Sequence, residues 1–251
     1  MTVFFIGAGP GAADLITVRG QRLLGRCQVC LYAGSIMPRD LLEFCPPEAR
    51  IVDTGPLTLE LIIDELATAD AAGLDVARLH SGDPSIYSAL AEQCRRLDAR
   101  GIGWEVVPGV PAFAAAAAAL GRELTVPGVA QTVTLSRVAT LSTAMPEKES
   151  LAALSAPGAT LVLHLAAAQA ETIVAELTSG GYTRETPCAV VAYASWPTEQ
   201  VVRCALGDLV EQLRAAGITK TAVIIVGDVL AAAGFTDSYL YSSGRRRGSR
   251  H

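Results

Sequence analysis

Short apolar runs alternate with helical patterns along the first hundred residues of this chain, and that alternation constrains its fold more than any single motif does. VFFI (3–6), VCLY (29–32), DVARLH (75–80) and WEVV (104–107) read as strands, with helices near 17–24, 58–72 and 87–100 between them. Strands separated by helices predict a parallel sheet built from α/β units. The next segment, 112–120, is dominated by alanine. Alanine has the best helix propensity and permits close approach, so this segment reads as a tightly packed helix carrying the chain between domains. Beyond Pro127-Gly128 the strand runs resume as TVTLS, TLVLHLA, PCAVVAYAS, EQVVRCAL and TAVIIVG, with helices near 168–177 and 208–216. Only Trp196-Pro197-Thr198 separates PCAVVAYAS from EQVVRCAL. That leaves no room for a helix, so the two form a hairpin and the second sheet is mixed.

The pattern predicts an α/β protein of two α/β domains: a mainly parallel N-terminal sheet over 1–112, a mixed C-terminal sheet over 113–238, and a basic tail over 239–251. A length of 251 residues agrees, since single cores commonly stop at roughly 100–150. Apolar residues make up 51% of the chain and charged ones 18%, enough apolar surface for two cores and too little charge for a disordered chain. The most hydrophobic stretch, 110–120, breaks at Gly121-Arg122-Glu123, short of the ~20 residues a membrane span requires. No basic region precedes VFFI and glycines follow it at once, which reads as a first strand rather than a secretory signal. No membrane association and a cytoplasmic location are therefore expected.

A formal charge of −5 disfavours nucleic-acid binding, which relies on clustered Lys and Arg. The exception, Arg245-Arg246-Arg247, reads as part of a solvated or disordered end. The six cysteines read as reduced, mostly buried thiols, because disulfide frameworks belong to small secreted domains with thin cores. Cys27 and Cys30 form a CxxC within CQVCLYA, which looks like a strand. Residues three apart on a strand point to opposite faces, so no metal pair is expected there.

Three segments are placed to carry chemistry. IGAGPGAADLIT (6–17) takes a strand straight into Gly7, Gly9, Pro10 and Gly11, where backbone can approach a ligand closely. Gly7-x-Gly9-x-x-Ala12 satisfies the permissive dinucleotide fingerprint, and a nicotinamide-dependent oxidoreductase is one reading of it. That reading needs an acidic residue at the end of the second strand, yet Leu31-Tyr32-Ala33-Gly34-Ser35 has none before Asp40. Pro10 also removes an amide that a phosphate cradle would use. The second segment, RLHSGDPSIY (78–87), ends a strand in a turn, where ligands bind in open α/β sheets. Asp83-Pro84 serves equally well as a plain helix start, with Asp83 as cap and Pro84 first in the helix. The third, VPGVPAF (107–113), has the same form and the same two readings.

Taken in order, GAGPG, SGDP and PGV, each at a strand end, resemble the tetrapyrrole methylase family, and the likeness runs through Leu161–Ala166 and Pro187–Gln200 to Thr221–Gly227. The string Tyr32-Ala33-Gly34-Ser35-Ile36-Met37-Pro38 is similar to the YAGS segment of members that methylate C11 of precorrin-4; uroporphyrinogen methyltransferases tend to carry an acidic residue after that tyrosine. LHSGDP (79–84) and ELTVPGVAQT (123–132) point the same way.

The resemblance implies a homodimer that binds S-adenosylmethionine in a cleft between two α/β domains, releases S-adenosylhomocysteine, and acts on a tetrapyrrole of cobalamin biosynthesis. The positions it maps to the cofactor are Pro10, Ser81, Gly82, Asp83, Ile86, Pro111, Ala112, Leu165, Ala194 and Ala222. Ser81 stands where relatives often have Gly. Pro111 stands where they often have Thr or Ser, which leaves only a carbonyl for polar contact. For the substrate, Gly9, Tyr32, Ser35 and His80 line the motifs, and Arg39, Arg122 and Arg137 are candidate partners for its carboxylates. A histidine ending a buried strand is more often structural than catalytic, and no catalytic side chain is assigned. Other substrates in the family, cobalt-precorrin-4, uroporphyrinogen III or an RNA, are the alternatives, with the acidic charge set against the last.

Overall fold

A computed structural model describes residues 1–139, 145–155 and 158–238, with the Glu147 side chain also left aside. The tail expected over 239–251, with its three arginines, lies outside the described residues. In order, the elements are β1 (Val3–Gly7), α1 (Val18–Leu24), β2 (Val29–Tyr32), β3 (Arg50–Asp53), α2 (Leu59–Ala71), β4 (Val76–His80), α3 (Leu90–Asp98), β5 (Trp104–Val107) and α4 (Ala112–Leu120). They continue with β6 (Val133–Arg137), α5 (Leu151–Leu154), β7 (Thr160–His164), α6 (Ala170–Ser179), β8 (Pro187–Ala192), β9 (Gln200–Ala205), α7 (Leu209–Ala216) and β10 (Ala222–Val226). The described residues form two compact units, Met1–Ala115 with Tyr193–Glu199, and Ala116–Ala192 with those from Gln200 to Ser238.

The first unit is built on a five-stranded sheet of order β3-β2-β4-β1-β5, parallel throughout. Alternate residues of each strand face opposite sides, and both sides are apolar, as expected of a sheet covered by helices on two faces. Phe4, Ile6, Cys30, Tyr32, Ala77 and Leu79 pack with Leu23 and Leu24 of α1 and with Leu41. Val3, Phe5, Val29, Leu31 and Val76 pack on the other face with Ile62, Ile63 and Leu66 of α2 and Cys94 and Leu97 of α3. The buried positions of α2, Ile62, Ile63, Leu66 and Ala69, follow the helical period, and the Thr58 side chain caps its start by accepting from Leu61 N–H.

The second unit has a mixed sheet of order β6-β7-β10-β8-β9. Its β6 and β7 run parallel, while β10 is antiparallel to β7 and to β8. The predicted hairpin is present, with Ala192 opposite Gln200 and Cys188 opposite Cys204. No helix among the described residues is long and apolar enough to cross a membrane.

Several boundaries differ from the sequence reading. The helix expected from residue 87 begins at Leu90, after a loop in which Tyr87 and Ala89 hold positive φ. Asp83-Pro84 therefore starts no helix. The helix expected near 17–24 is α1, which Thr17 caps by accepting from Gly20 N–H, and a 3-10 turn at Ala13–Leu15 lies between it and the glycine turn. Cys27 precedes β2, so the opposite-face argument does not apply, and Cys27 and Cys30 share one apolar cluster. Within that cluster Cys30 hydrogen-bonds Cys45, and all six cysteines are free.

Candidate cofactor site at the glycine turns

The order of the first sheet sets β1 between β4 and β5, so the three glycine-bearing turns leave neighbouring strand ends. Gly9 and Gly82 exchange backbone hydrogen bonds, Gly9 N–H to Gly82 carbonyl at 3.2 Å and Gly82 N–H to Gly9 carbonyl at 2.8 Å. Both residues have φ in the left-handed region, +81° and +68°, which glycine adopts without penalty. A Cβ on Gly7 would lie 2.5 Å from the Cα of Gly109, and one on Gly109 would overlap the Gly82 carbonyl oxygen. The glycines of the three motifs are thus required by one another: they are the only residues whose backbones can stack this closely.

Asp83 ties two of these turns together. Its carboxylate accepts from Gly109 N–H at 2.7 Å and Ser85 N–H at 2.8 Å, and also from the Ser85 hydroxyl. Burial by itself would raise its pKa, but these hydrogen bonds outweigh that and hold the carboxyl below its ordinary range. Gly82 rests against Pro111 and Ala112, which brings the second and third turns together. The Pro111 carbonyl is engaged by Ala114 N–H and Ala115 N–H at the start of α4, which leaves its ring as the contact surface.

The segment 193–199 closes over the glycine turn. Ser195 Oγ accepts from Ala12 N–H at 2.9 Å, and Trp196 Nε1–H donates to the Pro10 carbonyl at 3.1 Å. The indole lies against Gly11, where a Cβ would overlap it. Ala194 is buried here, and Glu199 accepts from Ser195 N–H at 2.7 Å. Neither Ser195 nor Trp196 was singled out from the sequence. Their partners lie more than 180 residues away, beyond the reach of any local signal.

Beside the turns, the Tyr32 carbonyl accepts from Thr54 N–H and Thr54 Oγ1–H, and Gly34 N–H donates to Asp53 at 3.0 Å. Gly55 N–H, then Gly34 N–H, keep the Asp53 carboxyl below its ordinary pKa, with Arg39 adding to the effect. A carboxylate thus stands beside the Tyr32–Ser35 string although none follows Tyr32 in sequence. Ser35 and Arg39 are exposed there. His80 is only 4% exposed, its Nε2 has no hydrogen-bond partner, and its ring stands edge-on to Phe5. Burial, and next the Arg78 cation, push its pKa down to about 3 against a partial offset from the Ser88 carbonyl. It is neutral at physiological pH and offers no charge to a carboxylate. Arg78 is 7% exposed and bonds Thr54 Oγ1 and Gln93 Oε1; burial lowers its pKa to about 10, so it stays cationic.

In the second unit, Leu165 follows β7 at φ 54° with 64% exposure, and Thr221 precedes Ala222 at φ 51°. Antiparallel pairing of β7 and β10 puts Leu165 and Ala222 at the same end of these neighbouring strands, and Arg137, opposite His164, lies at that end too. Non-glycine residues at positive φ are costly and cluster at binding sites. Arg122 is bonded to the Ala232 carbonyl beyond the far end of β10. The sheet therefore separates Arg122 from Leu165, Ala222 and Arg137.

No Lys or Arg occurs in 6–12, 81–87, 107–113 or 193–199, while ionised Asp83 stands among them. A pyrophosphate would meet a carboxylate and no cation. A sulfonium and its α-ammonium meet the opposite charge, so the residues fit S-adenosylmethionine and not a dinucleotide.

Two α/β units with this glycine-stacked site define a methyltransferase of the kind that binds S-adenosylmethionine without a phosphate cradle. The chain belongs to the Tetrapyrrole (Corrin/Porphyrin) Methylases, whose family it matches over residues 2–210. It is 74% identical over 245 residues to the precorrin-4 C(11)-methyltransferase of Mycobacterium tuberculosis, covering 98% of each chain. Its fold is similar to the X-ray structure of a cobalt precorrin-4 methyltransferase, a cobalamin biosynthetic enzyme, with a TM-score of 0.88, 38% identity, and 91% of this chain and 95% of that one covered. It is similar as well to the uroporphyrin-III C-methyl transferase of Thermus thermophilus complexed with S-adenyl homocysteine, with a TM-score of 0.78, 28% identity, and coverage of 92% and 93%.

Proposed function

We propose that this methyltransferase transfers a methyl group from S-adenosylmethionine to C11 of precorrin-4, giving precorrin-5 and S-adenosylhomocysteine in cobalamin biosynthesis. The observation that carries this reading is the 74% identity to a relative of that name, which spans 98% of the chain. The donor arrives activated, as a sulfonium. What the protein supplies is orientation and exclusion of water, effects able to contribute on the order of 7–11 kcal/mol. No dedicated base is required.

In this reading Pro10, Ser81, Gly82, Asp83, Ile86, Pro111, Ala112 and Ala194 hold the cofactor in the first unit. Asp83 faces its positive charge, and the two prolines pack against it through their rings. For Leu165 and Ala222 the assignment rests on the resemblance. Gly9, Tyr32, Ser35 and His80 serve the substrate, His80 as a neutral wall, with Arg39 and Arg137 for its carboxylates. The protein works as a cytoplasmic homodimer, which light scattering of the eluting species tests as twice the mass of one chain, and its domains divide near residue 112.

Mass spectrometry of the product made from purified precorrin-4 tests the substrate. Gain of one methyl, located at C11, is expected; no gain there refutes it. Methylation of cobalt-precorrin-4 is a second reading, favoured by the TM-score of 0.88 to a methyltransferase of that name. Gain only on the metal-containing substrate would select it.

A further inference from the structure

We propose that Trp196 is a positioning residue for the cofactor, holding the GAGPG turn in its binding geometry from a loop far away in sequence. The proposal rests on the S-adenosylmethionine reading and adds to it a residue that the motifs do not contain.

Hydrogen bonds to two separate segments hold the turn in place. Ala8 N–H goes to the His80 carbonyl, Gly9 uses both its groups on Gly82, and Pro10 has no N–H. Further along the turn, the Pro10 carbonyl and Ala12 N–H are bonded from outside it, by Trp196 and Ser195. Removing the 193–199 contacts would leave the turn anchored on one side only. Gly11 explains why a large ring can do this: the indole occupies the space that any side chain at 11 would fill. The geometry is held at a cost, since Tyr193 and Ser195 have φ of 51° and 66°. Non-glycine residues in that region persist where surrounding contacts over-determine them, and they concentrate at ligand clamps. Here the over-determining contacts are the Glu199 carboxylate on Ser195 N–H and the Tyr193 ring, edge-on to Trp196 at 6.3 Å.

The chain has two tryptophans, which makes the test direct. The other, Trp104, begins β5, bonds Asp98 and stands edge-on to Phe5, away from the glycine turn, so Trp104→Phe keeps a ring there and leaves Trp196 as the sole indole emitter. Titrating Trp104→Phe with S-adenosylhomocysteine should shift or quench the emission at saturation. Trp196→Phe keeps a ring over Gly11 but loses the N–H. It should weaken S-adenosylhomocysteine roughly five- to tenfold by calorimetry and raise KM for the donor to match, with kcat and the melting temperature of the free protein nearly unchanged. A purely structural role would lower the melting temperature and leave the KM of the folded fraction alone.

If wild type and Trp104→Phe bind no S-adenosylhomocysteine, the cofactor reading falls and the proposal with it. If both bind while Trp196→Phe binds equally well and Trp196 emission stays constant, the positioning role alone is overturned. Should Trp196→Phe fail to fold, the emission of Trp104→Phe decides.

Discussion

His80 shows how a residue's surroundings can reverse what its type suggests. A histidine among binding motifs invites a role as a cation or a proton carrier, yet this one is sealed against Phe5 beside the Arg78 cation, with a folded pKa of about 3 in place of 6.5. Between those values the unfolded chain binds a proton and the native state does not, so stability present above pH 6.5 is lost as pH falls toward 3. By pH 5 the single group accounts for about 2 kcal/mol. His80→Gln keeps a neutral polar side chain and removes the titration. Urea unfolding at pH 7 and pH 5 should therefore show the wild type losing about 2 kcal/mol more than the variant; equal losses would show that His80 does not stay neutral. Asp83 makes the complementary point about legibility. Asp-Pro after a strand is written the same way for a helix cap and for a turn, and the partner that fixes Asp83 in a turn, Gly109 N–H, lies 26 residues further on.

Among the elements, the hairpin of β8 and β9 carries most of the interest, because its strands and its loop answer to different demands. The strands follow the second sheet's register to Ala192 opposite Gln200, and the loop's contacts belong to the first unit. Replacing 193–199 by Asn-Gly joins that opposed pair with the two-residue turn that suits a right-twisted hairpin. The shortened protein should keep its far-ultraviolet spectrum and lose S-adenosylhomocysteine affinity by more than tenfold in calorimetry; retained affinity would show the loop to be dispensable. The hairpin itself was legible, since two β-rich runs stood too close for a helix between them. What the loop touches was not. Helices α2, α4 and α7 were legible because their periodicity or alanine content is strong, whereas β3 was missed. Four residues, RIVD, on a sheet edge with mostly exposed side chains show neither alternation nor an apolar run. The start of α3 was misplaced by three residues because Tyr87 and Ala89 sit at positive φ, which their side chains do not announce.

For the whole molecule the telling quantity is charge. A chain with a formal charge of −5 has no long-range field to draw in a substrate carrying several carboxylates, so recognition must come from arginines placed individually. Three arginines near the motifs qualified by sequence, and the structure distinguishes them. Arg39 stands exposed beside the Tyr32–Ser35 string, with Asp53 moderating its charge. Arg137 lies at the same strand ends of the second sheet as Leu165 and Ala222. Arg122 is exposed and reaches the Ala232 carbonyl beyond the opposite end of β10. An arginine bound to a carboxylate in partial contact with water contributes on the order of 1 kcal/mol or somewhat more, which is about five- to tenfold in affinity. Arg39→Ala and Arg137→Ala should each raise KM for the tetrapyrrole by about that factor, with KM for S-adenosylmethionine unchanged. Arg122→Ala should lower the melting temperature slightly and leave both constants alone. Steady-state kinetics with each substrate varied in turn separates the three. An increase in tetrapyrrole KM for Arg122→Ala, or none for the other two, would show that the carboxylates are read by groups the strand ends do not identify.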